Sequence, residues 1–405
     1  MTKINPEILK WARETAGFSL EEASKKISLG VAFGKSPSQR LNSFERGEDE
    51  PSRALLTRMA KQYRRPLLVF YLKEPPKIAD RGQDFRTLPE GYTEENQAIV
   101  DALLRDIKVR QSLIKNAMLD EEDVNDLDYI GSFNSDEDLV KYTDGISHLL
   151  NFNIQEYYKK STKSEAFNYL RSRIEVLGVF VLLIGDLGSY HTSIDTSVFR
   201  GFALSDKIAP FIVINDNDSK AAWSFTLLHE FTHLLLGQTG ISNSFTNTSV
   251  ERLCNSVASH VLLPEKELRY LELDRIDLSE DLINRISKFS VQRNLSNSMV
   301  AYRLFVNSFV SEYQWQELRA YFSSKWIESK KKARQASKAS VSGPSYYVIR
   351  RHRLGEKLIS TVHNVTYDGL LTTVKAGRVL GIAPKNIQNL FDDRLPIQKV
   401  HKVGK

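Results

Sequence analysis

The chain has 405 residues, of which 41% are hydrophobic and 26% charged, and it carries a formal net charge of +6. Such a composition supports packed cores and excludes a chain disordered throughout, and the length points to two to four domains. The single cysteine, Cys254, excludes an intrachain disulfide, and with no apolar run of membrane length and no signal-peptide core near Met1, a cytoplasmic protein is expected.

In chain order, residues 6–16 predict a helix that starts at Pro6 and ends before Gly17. Ser19 and Glu22 form a capping box for a second helix over Leu20–Ile27. A polar loop containing Gly30, Gly34 and Pro37 precedes a short third helix over Ser38–Arg46, and a fourth follows Pro51-Ser52 to about Tyr63. Four or five short helices in this space match a helix-turn-helix bundle. Residues 1–73 hold 14 Lys/Arg against 8 Asp/Glu, a balance that suits nucleic acid as well as a plain solvated surface.

Pro75-Pro76 marks a linker, and residues 80–90 read as irregular. Residues 93–118 predict one long helix with Ile99, Leu103, Ile107 and Ile114 near one face. The stretch 120–138, with nine acids and no Lys or Arg, reads as a surface loop with little core. Two helices are expected over 139–178, then strands at 179–184 and 211–214, where apolar β-branched residues cluster. Helices follow at 221–236 and 250–262, and at 281–309 with a break near Asn294. The basic, small-residue run 330–344 reads as a linker to a small helical module at 345–392. The expected organisation is a first domain at 1–73, a linker and helical connector at 74–138, a central domain with a helical extension at 139–322, and a C-terminal module at 345–405.

The chemistry lies in His229-Glu230-Phe231-Thr232-His233. Residues four apart share a helix face, so His229 and His233 present both imidazoles to one ion. Glu230 stands beside the first ligand as a general base for a metal-activated water. Eighteen residues beyond His233, Glu251 offers a third ligand, and Asn255, one turn further, a hydrogen bond to an imidazole or to the first helix. Together these resemble the plan of a gluzincin, a Zn²⁺ peptidase with two His and one Glu as ligands. Cys254 points to another face and reads as core. Tyr190, His191 and His260 are candidate oxyanion donors by residue type. The segment 207–216 is either an edge strand that aligns an extended substrate or a buried core strand.

The sequence RGFALSDKIAPFIVINDNDSKAAWSFTLLHEFTHLLLGQTGISN, followed by VERLCNSVASHVLLP, resembles the ImmA/IrrE family of metallopeptidases. FERGEDEPSRALLTRMAKQYRRPLLVFYL resembles the end of the XRE-type repressor domain often fused ahead of that peptidase. The resemblance covers roughly residues 5–73 and 80–310, with a weaker echo at 345–392. It implies an α+β, mostly helical chain: a helix-turn-helix bundle, a small gluzincin-like metallopeptidase domain and a C-terminal helical module. It implies His229, His233 and Glu251 as zinc ligands and Glu230 as catalytic base. The substrate it implies is a DNA-binding repressor of the helix-turn-helix class, and a toxin-like partner is a further implication. In the first domain, Gln39, Arg40, Asn42 and Ser43 would face base edges, with Arg46 or Lys35 on phosphate; the alternative is a helical protein-interaction module. Two departures stand out: the family often carries an acid where this chain has His260, and the loop Gly30–Pro37 is longer than a tight helix-turn-helix turn. A second helix-turn-helix echo at 286–305 is expected to pack behind the peptidase core, with substrate recognition as the alternative.

Overall fold

The computed structural model describes residues 4–76, 94–121, 124–134, 138–188, 192–242, 249–271, 280–339 and 345–391. The first of these segments folds on its own core: α1 (Pro6–Glu14), α2 (Leu20–Lys26), α3 (Pro37–Glu45), α4 (Arg53–Gln62) and a 3₁₀ turn at Leu67–Tyr71. The caps follow the sequence, with the Ser19/Glu22 box at α2 and a second box, Ser36/Gln39, at α3. Ile8, Leu41, Leu56, Met59 and Phe70 are buried together, and a buried ion pair, Arg13 to Glu45 at 2.7 Å, ties α1 to α3.

The rest of the described chain is built around a small sheet. α5 (Glu94–Leu119) is the single long helix expected there. Three helices, not two, occupy 139–178: α6 (Leu139–Leu149), α7 (Ile154–Tyr158) and α8 (Lys163–Val176). The extra break comes from Asn151 in the left-handed region (φ 45°) and Asn153, whose side chain caps α7. Strands β1 (Phe180–Leu183), β2 (Gly201–Leu204) and β3 (Phe211–Ile214) precede the site helix α9 (Lys220–Leu235), and β4 (Gly240–Ser242) follows it. The strand order is β1-β3-β2-β4, with β1 and β3 parallel and the other pairs antiparallel. Of the two readings of 207–216, the structure takes the core strand: β3 is paired on both sides, so its main chain has no free edge for a substrate, and β4 is the edge on the β2 side.

Side chains alternate across this sheet as the period-2 pleat requires. Val181, Leu183, Ala203, Ile212 and Ile214 enter one core, shared with α6, α8, α9 and α10 (Ser249–Leu262). Phe180, Leu182, Phe202, Leu204, Phe211 and Val213 enter a second core on the opposite face. After the short α11 (Glu265–Leu268), the helices α12 (Glu280–Gln292) and α13 (Asn297–Val306) join the first core through Ile286, Phe289, Val300 and Leu304, so the 286–305 echo is packed. They are separated at Asn294, which adopts φ 59°.

The run at 330–344 corrects its linker reading over its described part, because α14 (Glu312–Ala339) continues through it. Ala, Lys, Arg and Gln are strong helix formers, and no Gly or Pro interrupts them before Gly343. The helices α15 (Tyr346–Leu354), α16 (Glu356–Tyr367), α17 (Thr373–Leu380) and α18 (Gln388–Phe391) pack with α5 on the second face of the sheet, through Leu354, Leu358, Val362, Val379 and Leu390. Among the described residues, no helix is long and apolar enough to cross a membrane.

One residue of α15 should make the fold sensitive to acid. His352 is half-buried, with its ring 6.2 Å from that of Trp223. Burial, and then the charges of Arg171, Lys220 and Arg353, pull its pKa down to about 4. An unfolded histidine titrates near ~6.5, so between these values the unfolded chain binds more protons and stability falls as pH falls. We expect this residue to remove about 2 kcal/mol of unfolding free energy between pH 7 and pH 5. Urea titrations of His352→Gln should lose that part of the pH dependence; an unchanged dependence contradicts the assignment.

Candidate metal centre

The site helix α9 is apolar on nearly every side, which is why it runs through the interior: Leu227, Leu228, Phe231, Leu234 and Leu235 are all buried. Its polar motif is therefore carried into the core. His229 is 5% exposed, Glu230 0%, His233 1%, and Glu251 on α10 1%.

Three of these groups converge. The Nε2 atoms of His229 and His233 lie 3.2 Å apart. Oε2 of Glu251 is 3.2 Å from Nε2 of His229, and Oε1 is 3.2 Å from Nε2 of His233. Ligand atoms held tetrahedrally at roughly 2.0–2.1 Å from a zinc ion lie about 3.3 Å from one another. The nitrogen pair matches that spacing, each nitrogen faces one oxygen of the carboxylate, and two nitrogens with one carboxylate are a donor set zinc takes. Without an ion the same contacts serve as hydrogen bonds, one imidazole to each carboxylate oxygen.

The electrostatics show how tightly the groups are coupled. Burial pushes the Glu251 carboxyl up, but hydrogen bonds from both histidines overcome it and bring the pKa down to about 2. Burial also pulls His229 down, yet the hydrogen bond and charge of Glu251 hold it above its ordinary value. His233 ends below its ordinary value, since burial and the neighbouring His229 outweigh Glu251. Asn255, one turn past Glu251, also acts to raise the pKa of His229.

Glu230 is held by close packing against β2. A Cβ placed on Gly201 would stand 2.8 Å from its Oε1 and 3.0 Å from its Cγ. The carboxylate therefore lies along the strand, in space that glycine leaves open.

Cys254 is where the sequence reading needs correction. It is not turned away from the site: three positions along a helix is a rotation of about 300°, within 60° of Glu251. Its Sγ lies 3.8 Å from Nδ1 of His233, and it groups with His229 and His233 within 4.8 Å. Glu251 and Cys254 approach His233 from different sides. Glu251 faces the two Nε2 atoms that face each other, whereas the sulfur faces the other nitrogen of His233. Burial, with the negative field of Glu251 and Glu230, pushes the thiol well up, and a metal-ligating cysteine is a thiolate.

His260 is overturned as an oxyanion donor. Nine residues beyond Glu251, it lies about 13 Å along α10 and on the opposite face. There its Nδ1 pairs with the Ser256 carbonyl at 2.7 Å and its Nε2 lies 2.7 Å from the guanidinium of the fully buried Arg303. Tyr190 and His191 lie outside the described residues.

Two features of the site have no motif to announce them. Gln238 places Oε1 3.3 Å from Nδ1 of His233. Part of the acidic stretch does more than cover a surface: Gly131 and Phe133 donate their main-chain N–H groups to the carbonyls of Leu234 and Leu235, capping the end of α9.

In the first bundle, the proposed base-facing residues do not share one environment. Gln39 is exposed, though its side chain accepts from the Ser36 N–H in the capping box. Asn42 is half-buried and Arg46 exposed. Arg40 donates to the Gly30 carbonyl. Ser43 is turned inward, 4% exposed and 2.8 Å from the Lys35 ammonium, so it is withdrawn from any base edge.

Residues 181–305, which hold the whole site, match the family model Peptidase_M78, the IrrE N-terminal-like domain. No curated protein and no solved structure matches the chain. The segment carrying the buried histidine pair is thus similar to a peptidase family.

Proposed function

We propose that this chain is a zinc-dependent endopeptidase whose substrate is a DNA-binding repressor of the helix-turn-helix class. The observation that carries the reading is the buried convergence of His229, His233 and Glu251 through three 3.2 Å contacts, in a segment similar to a peptidase family. His229, His233 and Glu251 would hold the ion, with Asn255 one turn past Glu251 on the same helix. Zinc bound there supplies a Lewis acid and makes water a nucleophile near neutral pH. Glu230 accepts the proton released as the water attacks the peptide carbonyl, then returns it to the departing amine. Its burial keeps bulk water from competing for that proton. The repressor substrate rests on the resemblance to the ImmA/IrrE family.

The test starts with the metal. Wild-type protein should retain stoichiometric zinc through dialysis, and His229→Ala should lose it; full zinc retention in the variant overturns the ligand set. Co-expression with neighbouring gene products, read by mass spectrometry of fragments, then finds the substrate.

For the first bundle, DNA binding through Gln39, Asn42 and Arg46 competes with a role as a protein-docking module. The exposed acidic turn Glu48, Asp49 and Glu50 beside α3 favours docking, since it would repel phosphate. A salt-sensitive gel shift on the DNA upstream of the gene separates the two. A transcriptional regulator or antitoxin with a purely structural zinc is the other reading of the whole chain, but such a site has no need of the buried Glu230.

A further inference from the structure

Helix α9 ends in a specific way. Gly237 adopts φ 68°, its N–H reaches the Leu234 carbonyl at 2.9 Å, and the Gln238 N–H reaches the His233 carbonyl at 2.9 Å. This pair of bonds is a Schellman motif, in which the residue after the left-handed glycine folds back onto the helix residue five positions earlier. That contact is ordinarily apolar. Here the two residues are Gln238 and the metal-site His233, and the contact is Oε1 to Nδ1 at 3.3 Å. A histidine that binds a metal through Nε2 must carry its proton on Nδ1, and an acceptor facing Nδ1 fixes that tautomer and the ring orientation. Among the described residues, Nδ1 of His229 is buried with no hydrogen-bond partner, so His233 is the ring whose outer nitrogen is held.

We infer that Gln238 is a positioning residue for the metal: its carbonyl oxygen, delivered by the Gly237 turn, holds His233 in the tautomer that leaves Nε2 free to bind. This rests on the metal reading given above. Helix termination and ligand orientation are then one device, because the turn that stops α9 also supplies the acceptor.

The experiment needs only the full chain and zinc. Zinc affinity is measured by competition with a chromophoric chelator for wild type, Gln238→Met, Gln238→Glu and Cys254→Ala. Methionine keeps the bulk and removes the acceptor, so Gln238→Met should weaken zinc binding about 10–100-fold. Glutamate keeps an acceptor, so Gln238→Glu should bind zinc at least as tightly as wild type. Melting of the metal-free proteins should be alike, which separates orientation from folding. A role in packing alone predicts the reverse order, methionine harmless and the added charge harmful, and that result overturns the proposal. So does wild-type affinity in Gln238→Met, or a loss in Cys254→Ala with none in Gln238→Met, which would make the thiol the partner of Nδ1. If wild-type protein takes up no zinc, the metal reading itself fails, and the proposal with it.

Discussion

Glu230→Gln should bind zinc as wild type does and cleave its substrate about 10²–10⁴-fold more slowly. The substitution is nearly isosteric, and Glu230 faces β2 rather than joining the 3.2 Å contacts of the ligand cluster, so the ligand set stays intact. What is lost is basicity. An amide cannot take a proton from the attacking water, and the site holds the side chain at 0% exposure, where solvent cannot stand in for it. Zinc content by mass spectrometry and fragment yield from a co-expressed repressor are the two readouts. Cleavage at the wild-type rate would show that another group is the base, and loss of zinc would show that Glu230 belongs to the ligand set.

Gly201→Ala should abolish most activity through sterics alone. The added methyl would meet Cγ2 of Thr226 at 2.7 Å, as well as Oε1 and Cγ of Glu230 at 2.8 and 3.0 Å. The strand cannot retreat easily, since Gly201 is paired with Ile214 on one side and Ser242 on the other. Overpacking of this kind costs about 1–3 kcal/mol, and displacing a catalytic group by about 1 Å costs on the order of 10²-fold in rate. The two collisions are separable. Thr226→Ser removes the methyl on the first path and leaves the second, so Gly201→Ala/Thr226→Ser should regain much of the melting temperature but little of the cleavage. If the double variant recovers both together, Gly201 serves the packing of the strand and not the placement of Glu230.

The local events of this fold were legible because they are short-range. The capping box of Ser19 and Glu22, the helix stop before Gly17 and the break at Asn294 each depend on a few adjacent residues whose backbone preferences act wherever the segment lies. The pairing of His229 with His233 on one helical face belongs to the same class. The strands were legible only in part. β1 and β3 are continuous apolar runs of at least four residues, whereas β2 begins with glycine and β4 spans only Gly240–Ser242, too short for any period to show. The run after Lys330 misled for the opposite reason: its basic, small residues look like a linker, yet they are also good helix formers, and helix prevailed as far as Ala339.

What the sequence by itself determined is the chemistry on offer: two histidines one turn apart, a carboxylate between them, and a second Glu-x-x-x-Asn pair on another helix. Only the tertiary structure decided which of these groups meet, because the distance between α9 and α10 is set by how apolar faces pack and not by any spacing along the chain. That packing brought Glu251 to 3.2 Å from both imidazoles, set Cys254 against the far nitrogen of His233 and gave His260 its partner Arg303, whereas the helix period alone fixes the face of α10 that each residue takes. It also placed two unannounced residues, Gly201 and Gln238, against the motif. Their roles come from a missing side chain in a strand and a left-handed turn at a helix end, and these become meaningful only when another element lies against them.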